Sequence, residues 1–414
     1  MPEYLRSFRM TDPENTEKAA ALLNAQGFRF EPAPFVDGAM RLTEEPFPLG
    51  SSLAAFFGLI YIQDRSSMLP PAALRPPKGA VVLDMCASPG SKTSQLASFV
   101  GHEGMVLGNE PSPPRLAVLR QNLCRMMLTQ AVTSCYSGES LPLPDASFEY
   151  ILLDPPCSGW GTEERNPNVT KMWTEEKTLP LIRLQRSLLR EAERLLRPGG
   201  RMVYSTCTTH VKENEEQLQY AFRDLGLLPD PLPMPDGYTL EKPLLGCEGV
   251  WRLSTIAGEN QGFFIAGLRK AAAGLPEPSP MPGSCGTALT SRQYKACGFL
   301  PGDLPGGRPA VFGTSLHFVP DHAGHLPKDF RWQGMYMGKA TASGELTPAP
   351  FVRAGSDLPR LETEGEEGIR LITGLLSGQS FIGDIREKSA LLVWEGMPLC
   401  RLRVKNKRLF YSER

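Results

Sequence analysis

Between residues 58 and 270, short apolar runs alternate with segments whose apolar residues recur every three to four positions. Residues 80–83 form a buried-type strand, followed by a small-residue turn and a helix reaching Val100. A second strand is expected at 105–108, with a helix over 115–128, and a third strand at 131–136. A fourth strand at 150–153 precedes a long helix over 181–196, which Arg197-Pro198-Gly199-Gly200 should end because proline and glycine cannot continue it. A fifth strand at 201–205, a helix over 213–225 and a closing strand at 262–268 complete the series. Such alternation predicts an α/β, doubly wound, mostly parallel sheet.

The flanks follow other patterns. Residues 1–57 mix one helical run (17–25) with extended, proline-interrupted pieces and are expected to form a small α+β unit. Residues 271–286 carry four prolines among small residues and read as a linker. Residues 287–414 hold strand-like runs at 390–394, 399–404 and 408–411 and one short helix at 368–376, so a separate β-rich module is expected.

Composition narrows the class. The chain has 414 residues, enough for two or three domains, and its net charge of −1 supplies no global basic field. A nucleic-acid surface must therefore be a local patch. The first residues have no apolar core of a secretory signal, and no apolar run is long enough to span a bilayer. Nine scattered cysteines without a CxxC pair fit a reducing, cytoplasmic setting. His322 and His325 have no ligand-spaced neighbours, so no metal site is expected.

Two segments point to a nucleoside ligand. The strand ending at Asp84 runs into Met85-Cys86-Ala87-Ser88-Pro89-Gly90-Ser91-Lys92-Thr93, a small-residue turn that lets a ligand approach the backbone and a helix N-terminus. A phosphate loop needs glycines where this chain has Ser91 and Cys86, and a dinucleotide fingerprint needs more than one glycine, so both fail. Glu110, ending the second strand, suits ribose hydroxyls. Together they predict an adenosyl ligand, belonging to either a dinucleotide or S-adenosylmethionine.

The catalytic candidates follow the fourth and fifth strands. Asp154-Pro155-Pro156-Cys157-Ser158-Gly159 and Thr206-Cys207-Thr208 should meet at the ligand-binding edge of the sheet. Two cysteines there suit one reaction in particular. Cytosine C5 is too weak a nucleophile to take a methyl group directly, but a thiolate added at C6 makes C5 enamine-like. Asp154, protonated or sharing a proton, would steady the adduct near N3. Lys92 or a helix terminus would lower the pKa of the attacking thiol. Cys124, Cys135, Cys247, Cys285, Cys297 and Cys400 read instead as small core residues.

These motifs resemble the Sun/Fmu-type RNA 5-methylcytosine methyltransferases, and most closely their RsmF-like 16S ribosomal RNA branch. The resemblance spans nearly the whole chain and includes Tyr61–Met68, Asp84–Thr93, both cysteine motifs, Glu213-Asn214-Glu215 and Gln261–Ala266. It implies a Rossmann-like class I methyltransferase core at 58–270, an RNA-contacting unit at 1–57 and a PUA-like RNA-binding domain at 287–414. It also implies S-adenosylmethionine as cofactor and, as partner, RNA: ribosomal RNA, free or in a 30S subunit, with transfer RNA as the alternative. A monomer is expected. Cys207 would be the nucleophile, Cys157 would assist product release, Asp154 would contact cytosine near the cofactor, and Lys92 would order that pocket. Cys86, Ala87, Ser88, Pro89, Gly90, Ser91, Lys92, Glu110, Ser137 and Asp154 would line the cofactor site. The family's usual Asp-Gly after the third strand is Ser137-Gly138 here, which replaces a charge by a hydroxyl, and Glu139 is the candidate substitute. The N-terminal helical region is abbreviated.

Arg401, Arg403, Lys405, Lys407 and Arg408, followed by Phe410 and Tyr411, form a basic, aromatic strand suited to RNA or simply to a solvated sheet edge. Two other classes stay open. An amino-methyltransferase shares the Asp-Pro-Pro motif but wants an aromatic where Cys157 stands. A non-catalytic RNA-binding assembly protein would need neither cysteine.

Overall fold

The computed structural model describes residues 6–163, 166–255, 261–272, 286–300 and 302–412. Most of the expected linker, residues 273–285, including Cys285, lies outside them.

Strands β1 (Ser7–Met10), β2 (Arg29–Pro32), β3 (Ala39–Glu44) and β4 (Ile60–Ile62) form an antiparallel sheet in the order β2-β3-β1-β4. Helix α1 (Thr16–Ala25) packs Ala19, Leu22 and Leu23 into its core. The N-terminal unit therefore runs past residue 57, because β4 pairs with β1.

The central sheet contains β5 (Val81–Asp84), β6 (Met105–Asn109), β7 (Ala131–Ser134), β8 (Phe148–Leu153), β9 (Leu196–Thr206), β10 (Leu228–Pro229), β11 (Trp251–Leu253) and β12 (Phe263–Arg269). Its order is β10-β12-β9-β8-β5-β6-β7, with β11 paired to β12. Strands β5 to β9 are parallel, and β12 is antiparallel to β9. Helix α2 (Leu53–Phe56) packs in the core of the N-terminal unit, and the helices of the central part are α3 (Leu69–Leu74), α4 (Ser91–Val100), α5 (Pro113–Arg125), α6 (Val169–Met172), α7 (Glu175–Leu195) and α8 (Glu215–Asp224). Successive strand residues point to opposite faces. Leu83, Ile151, Leu153, Met202 and Tyr204 pack against α7 and α8, while Val82, Leu152 and Val203 pack against α3, α4 and α5. This is the doubly wound sheet that the alternation predicted, in the Rossmann-like form that the resemblance implied.

Helix α7 begins six residues earlier than expected, and Arg197-Pro198-Gly199-Gly200 belongs to β9 rather than to a helix end. The reason is pairing: Gly199 N–H donates to Lys270 O, and Lys270 N–H donates to Gly200 O.

The C-terminal part is two sheets. Strands β13 (Thr287–Ala288), β14 (Gly307–Phe312), β15 (Ser315–Pro320), β17 (Tyr336–Ala340) and β18 (Leu346–Pro348) form one, in chain order. Between them β16 (Trp332–Gln333) leaves to pair with β7, extending the central sheet. Strands β19 (Arg360–Thr363), β20 (Phe381–Ile382), β21 (Ser389–Trp394), β22 (Met397–Lys405) and β23 (Arg408–Phe410) form the other, with α10 (Gly365–Leu376) beside it, while α9 (Ser291–Ala296) packs Tyr294 against the core of the first. The second sheet and α10 share one core with the N-terminal unit: Phe8, Leu22 and Ile60 pack in the same cluster as Ile372, Leu392 and Trp394. The C-terminal part is thus not a detached module, since its apolar face completes the N-terminal core.

Arg401 is not a surface cation. It is buried, donates to Val352 O at 2.9 Å, Cys297 O at 2.7 Å and Ala354 O, and lies over the Phe299 ring. Arg401→Ala should leave buried carbonyls unsatisfied at about 1–3 kcal/mol each in the worst case. The expected result is a clear fall in the urea midpoint with an unchanged slope; an unchanged midpoint would remove the assigned structural role.

Candidate active site

The site is set by strand register. In the parallel β8–β9 ladder Leu153 pairs with Tyr204, so Asp154, just past the end of β8, comes to lie beside Ser205 of β9. Ser205 Oγ donates to Asp154 Oδ1 at 2.6 Å, and Lys92 Nζ donates to Asp154 Oδ2 at 2.6 Å from the first turn of α4. Three residues on, Cys157 Sγ lies 3.3 Å from Cys207 Sγ. The two cysteine motifs, fifty residues apart in sequence, thus meet in one half-buried site.

The two thiols differ in character. Cys207 is held below the usual thiol range, first by the hydrogen bond from the Cys157 thiol and then by Lys92, against the opposing effects of burial and Asp154. Cys157 is pushed well above it by donating that bond and by burial. Lys92 or a helix terminus was the expected source of activation; Lys92 contributes, but its main partner is Asp154, and the neighbouring thiol comes first. Burial works against the Lys92 ammonium, but Asp154 outweighs it and holds the pKa above its ordinary value. Lys92 and Asp154 therefore stand as an ion pair.

A buried scaffold holds both cysteine loops. Glu213 accepts from Ser158 N–H at 3.0 Å and from Gln185 Nε2 at 2.9 Å, and Gln185 also donates to Pro156 O. Asn214 brackets Cys207: its Oδ1 accepts from Thr206 Oγ1 at 2.6 Å and its Nδ2 donates to Thr208 O at 2.9 Å. Glu215 pairs with Arg252, which donates to Thr209 O. These contacts give Glu213-Asn214-Glu215 a physical role that spacing alone did not show. Gly161 adds a backbone clamp, donating to Cys207 O and accepting from Gly262 N–H. A Cβ there would sit 2.1 Å from Gly262 O, so only glycine fits.

The expected cofactor residues surround the end of β5. Gly90 adopts φ 106° before α4, a left-handed conformation that glycine adopts without strain. Ala87 N–H donates to Asn109 O, while Ser88, Pro89 and Gly90 lie against α5 through Arg115, Asn122 and Leu119. Ser91 caps the loop as the first residue of α4. Burial and the carboxylates of Asp84, Asp154 and Glu110 push the Cys86 thiol well above the usual range, which favours its neutral form. Burial raises Asp84 to about 6, opposed by its bond from Thr93. Glu110 is buried and accepts from Ser112 N–H at 2.9 Å, with Arg115 at 3.4 Å. Ser137 is exposed just past β7, 3.4 Å from Glu139. Among the other cysteines Cys124, Cys247, Cys297 and Cys400 are buried, but Cys135 is exposed because β7 ends at Ser134. Among the described residues no cluster of three or more His, Cys, Asp or Glu side chains is placed to hold a metal ion.

If the Cys157 bond lowers the pKa of Cys207, Cys157→Ala should shift the pH midpoint of Cys207 alkylation by iodoacetamide upward, and Cys157→Ser should restore part of the shift. Mass spectrometry of the modified peptide reads both. An identical midpoint in all three proteins would remove Cys157 as the source.

The chain matches a family model described as 16S rRNA methyltransferase RsmB/F over residues 71–269. Ribosomal RNA small subunit methyltransferase F of Klebsiella pneumoniae is 37% identical over 267 residues, covering 63% of this chain and 56% of its own. The protein of that name from Salmonella arizonae is 38% identical over 271 residues, with the same coverages. The chain spans just over half the length of these curated relatives. A methyltransferase homolog protein from Pyrococcus horikoshii, solved by crystallography, is 33% identical with a TM-score of 0.56, covering 65% of this chain and 87% of that one. Motifs, fold and these likenesses agree: the chain belongs to the 16S rRNA methyltransferase RsmB/F family.

Proposed function

We propose that the chain is an S-adenosylmethionine-dependent RNA (cytosine-C5) methyltransferase acting on small-subunit ribosomal RNA. The observation that carries this reading is the thiol pair, 3.3 Å apart, with the Lys92–Asp154–Ser205 cluster beside it.

The residues present fit the cofactor. Asp84, Glu110 and Asp154 put carboxylates around the loop from Cys86 to Lys92, and Asp84 Oδ1 has no hydrogen-bond partner among the described residues. Such a rim suits a ribose diol, an ammonium and a sulfonium, and repels the phosphates of a dinucleotide. Glu110 would hold the ribose hydroxyls, and Ser137 would face the adenine end. When bound, the cofactor supplies an electrophilic methyl group.

The protein's residues do the rest. The Cys207 thiolate adds to cytosine C6, forming a C–S bond and moving electron density onto C5. The Lys92–Asp154 pair, steadied by Ser205, orients the ring and offers a shared proton toward N3. After C5 is methylated, a water molecule takes its proton, the C–H electrons re-form the C5=C6 bond, and the C6–S bond breaks to release Cys207 as a thiolate. The high-pKa Cys157 thiol, already aimed at that sulfur, meets the leaving thiolate with a proton. Asn214 and Gly161 hold Cys207 in place throughout. The β-rich C-terminal part serves as an RNA-binding module of the PUA-like kind.

The test uses Cys157→Ala protein with S-adenosylmethionine and unmodified ribosomal RNA, or 30S subunits carrying it. A protein–RNA adduct should survive a denaturing gel and vanish in the Cys157→Ala, Cys207→Ala double variant. Methyl transfer that proceeds without any adduct in either variant would replace the covalent mechanism with direct transfer to an amino group.

A further inference from the structure

The nine cysteines are scattered along the chain, and the fold brings Cys157 and Cys207 together with their sulfurs 3.3 Å apart. A disulfide bond is about 2.0 Å long, so small side-chain rotations would close the gap. Both residues lie outside the sheet, Cys157 in the loop after β8 and Cys207 directly after β9. The buried scaffold grips the chain around them: Glu213 holds Ser158 N–H, Asn214 holds Thr206 and Thr208, and Gly161 holds Cys207 O. None of these bonds is to a sulfur, so the loops are fixed while the thiols keep room to turn.

The pair is also within reach of solvent. Both cysteines are half-buried rather than sealed. A Cβ at Gly159 would come 3.9 Å from Cys207 Sγ, so the glycine leaves that approach to the sulfur uncovered by a side chain.

Reactivity separates Cys207 from the other thiols. Oxidants attack the thiolate, and a neighbouring thiol resolves the product. Burial pushes up the thiols of Cys86, Cys124, Cys247, Cys297 and Cys400. Cys207 is shifted the other way, first by the bond from Cys157 and then by Lys92. Cys157 keeps its proton. The site thus holds a thiolate and a protonated thiol in contact.

We propose that Cys207 and Cys157 form a site of reversible oxidation, in which a hydroperoxide oxidises Cys207, Cys157 closes it as a disulfide, and methyl transfer stops until a dithiol reopens the bond. The loss of activity rests on the reading of Cys207 as nucleophile and Cys157 as acid; the oxidation itself does not. With hydrogen peroxide, the Cys207 thiolate attacks one oxygen, the O–O bond breaks, hydroxide leaves, and Cys207 becomes a sulfenic acid. The Cys157 sulfur then attacks the sulfenic sulfur. The S–S bond forms, the S–O bond breaks, and the Cys157 proton departs with the oxygen as water. The thiol pair has lost two electrons and the peroxide has gained them. A dithiol returns them by thiol–disulfide exchange and becomes a disulfide itself. Contact with Cys157 favours closure over a second attack by peroxide, which would give a sulfinic acid that a dithiol does not reverse. Once closed, the pair offers neither nucleophile nor proton donor.

The test treats the reduced protein with hydrogen peroxide, removes the peroxide with catalase and divides the sample. One part is alkylated and mapped by non-reducing mass spectrometry. The other is assayed for methyl transfer from S-adenosylmethionine to unmodified ribosomal RNA or 30S subunits, before and after dithiothreitol. A Cys157–Cys207 linked peptide should form, methyl transfer should fall in proportion, and reduction should reverse both. The Cys207 thiol should be lost about tenfold faster than that of Cys135, although Cys135 is the more exposed. In Cys157→Ser, shown folded by thermal unfolding, the linked peptide should give way to a Cys207 sulfenic acid that dimedone traps. Oxidation of Cys135 with both site thiols intact would overturn the proposal. So would a Cys207 that passes straight to sulfinic acid beside an intact Cys157, or full methyl transfer by fully disulfide-bonded protein. The two readings fail separately. A linked peptide from a protein whose reduced form methylates no RNA keeps the oxidation site and removes the methyltransferase reading. Normal methyl transfer and a normal Cys157→Ala adduct, with no linked peptide at any peroxide concentration, remove the oxidation site alone.

Discussion

The arrangement depends on one piece of sheet register. Parallel pairing of Leu153 with Tyr204 places Asp154 beside Ser205, and the chain that continues from each strand then has only a few residues in which to bring the two thiols together. A slip of one residue would turn every side chain of β9 to the other face. Met202 and Tyr204, buried against α7 and α8, and Val203, buried against the opposite helices, prevent it. The hydrophobic alternation of one buried strand thus determines which atoms meet at its end.

What the register places, the buried polar scaffold stiffens. Glu213 and Asn214 are fully buried, and each binds backbone or side-chain groups in the cysteine loops. Burying such groups is costly unless they are paired, so the network holds as a unit or not at all. It keeps Cys157 aimed at Cys207, and that contact comes first among the influences that lower the pKa of Cys207. One thiol is thereby readied to attack and its neighbour to donate a proton.

Much of this was legible in the sequence because the core strands are short, continuous apolar runs, and because Asp154, Cys157 and Cys207 follow strands whose ends share one edge. The helix over 181–196 was read short because Pro180 hid its first turns, and Gly199-Gly200 looked like a helix end although they pair with Lys270. Arg401 shows a different limit. Its neighbours Arg403 and Lys405, two and four positions on along the same strand, are exposed, but Arg401 is covered by chain from elsewhere, which offers it the carbonyls of Cys297, Val352 and Ala354. The shared core of Phe8 and Trp394 was hidden for a similar reason, since each run reads locally as a satisfactory strand. Cys135 lies one residue past the end of β7, a boundary that no local pattern marks.

The central claim is that this thiol pair drives chemistry at cytosine C5, and the hydrogen on that carbon reports it directly. Substrate RNA carrying tritium at C5 of its cytosines would be incubated with the protein and S-adenosylmethionine, and tritium released to water compared with methyl groups transferred. The account predicts one tritium released for each methyl group gained, and neither in Cys207→Ala. Methyl transfer with the C5 tritium retained would contradict it and place the methyl group on another atom.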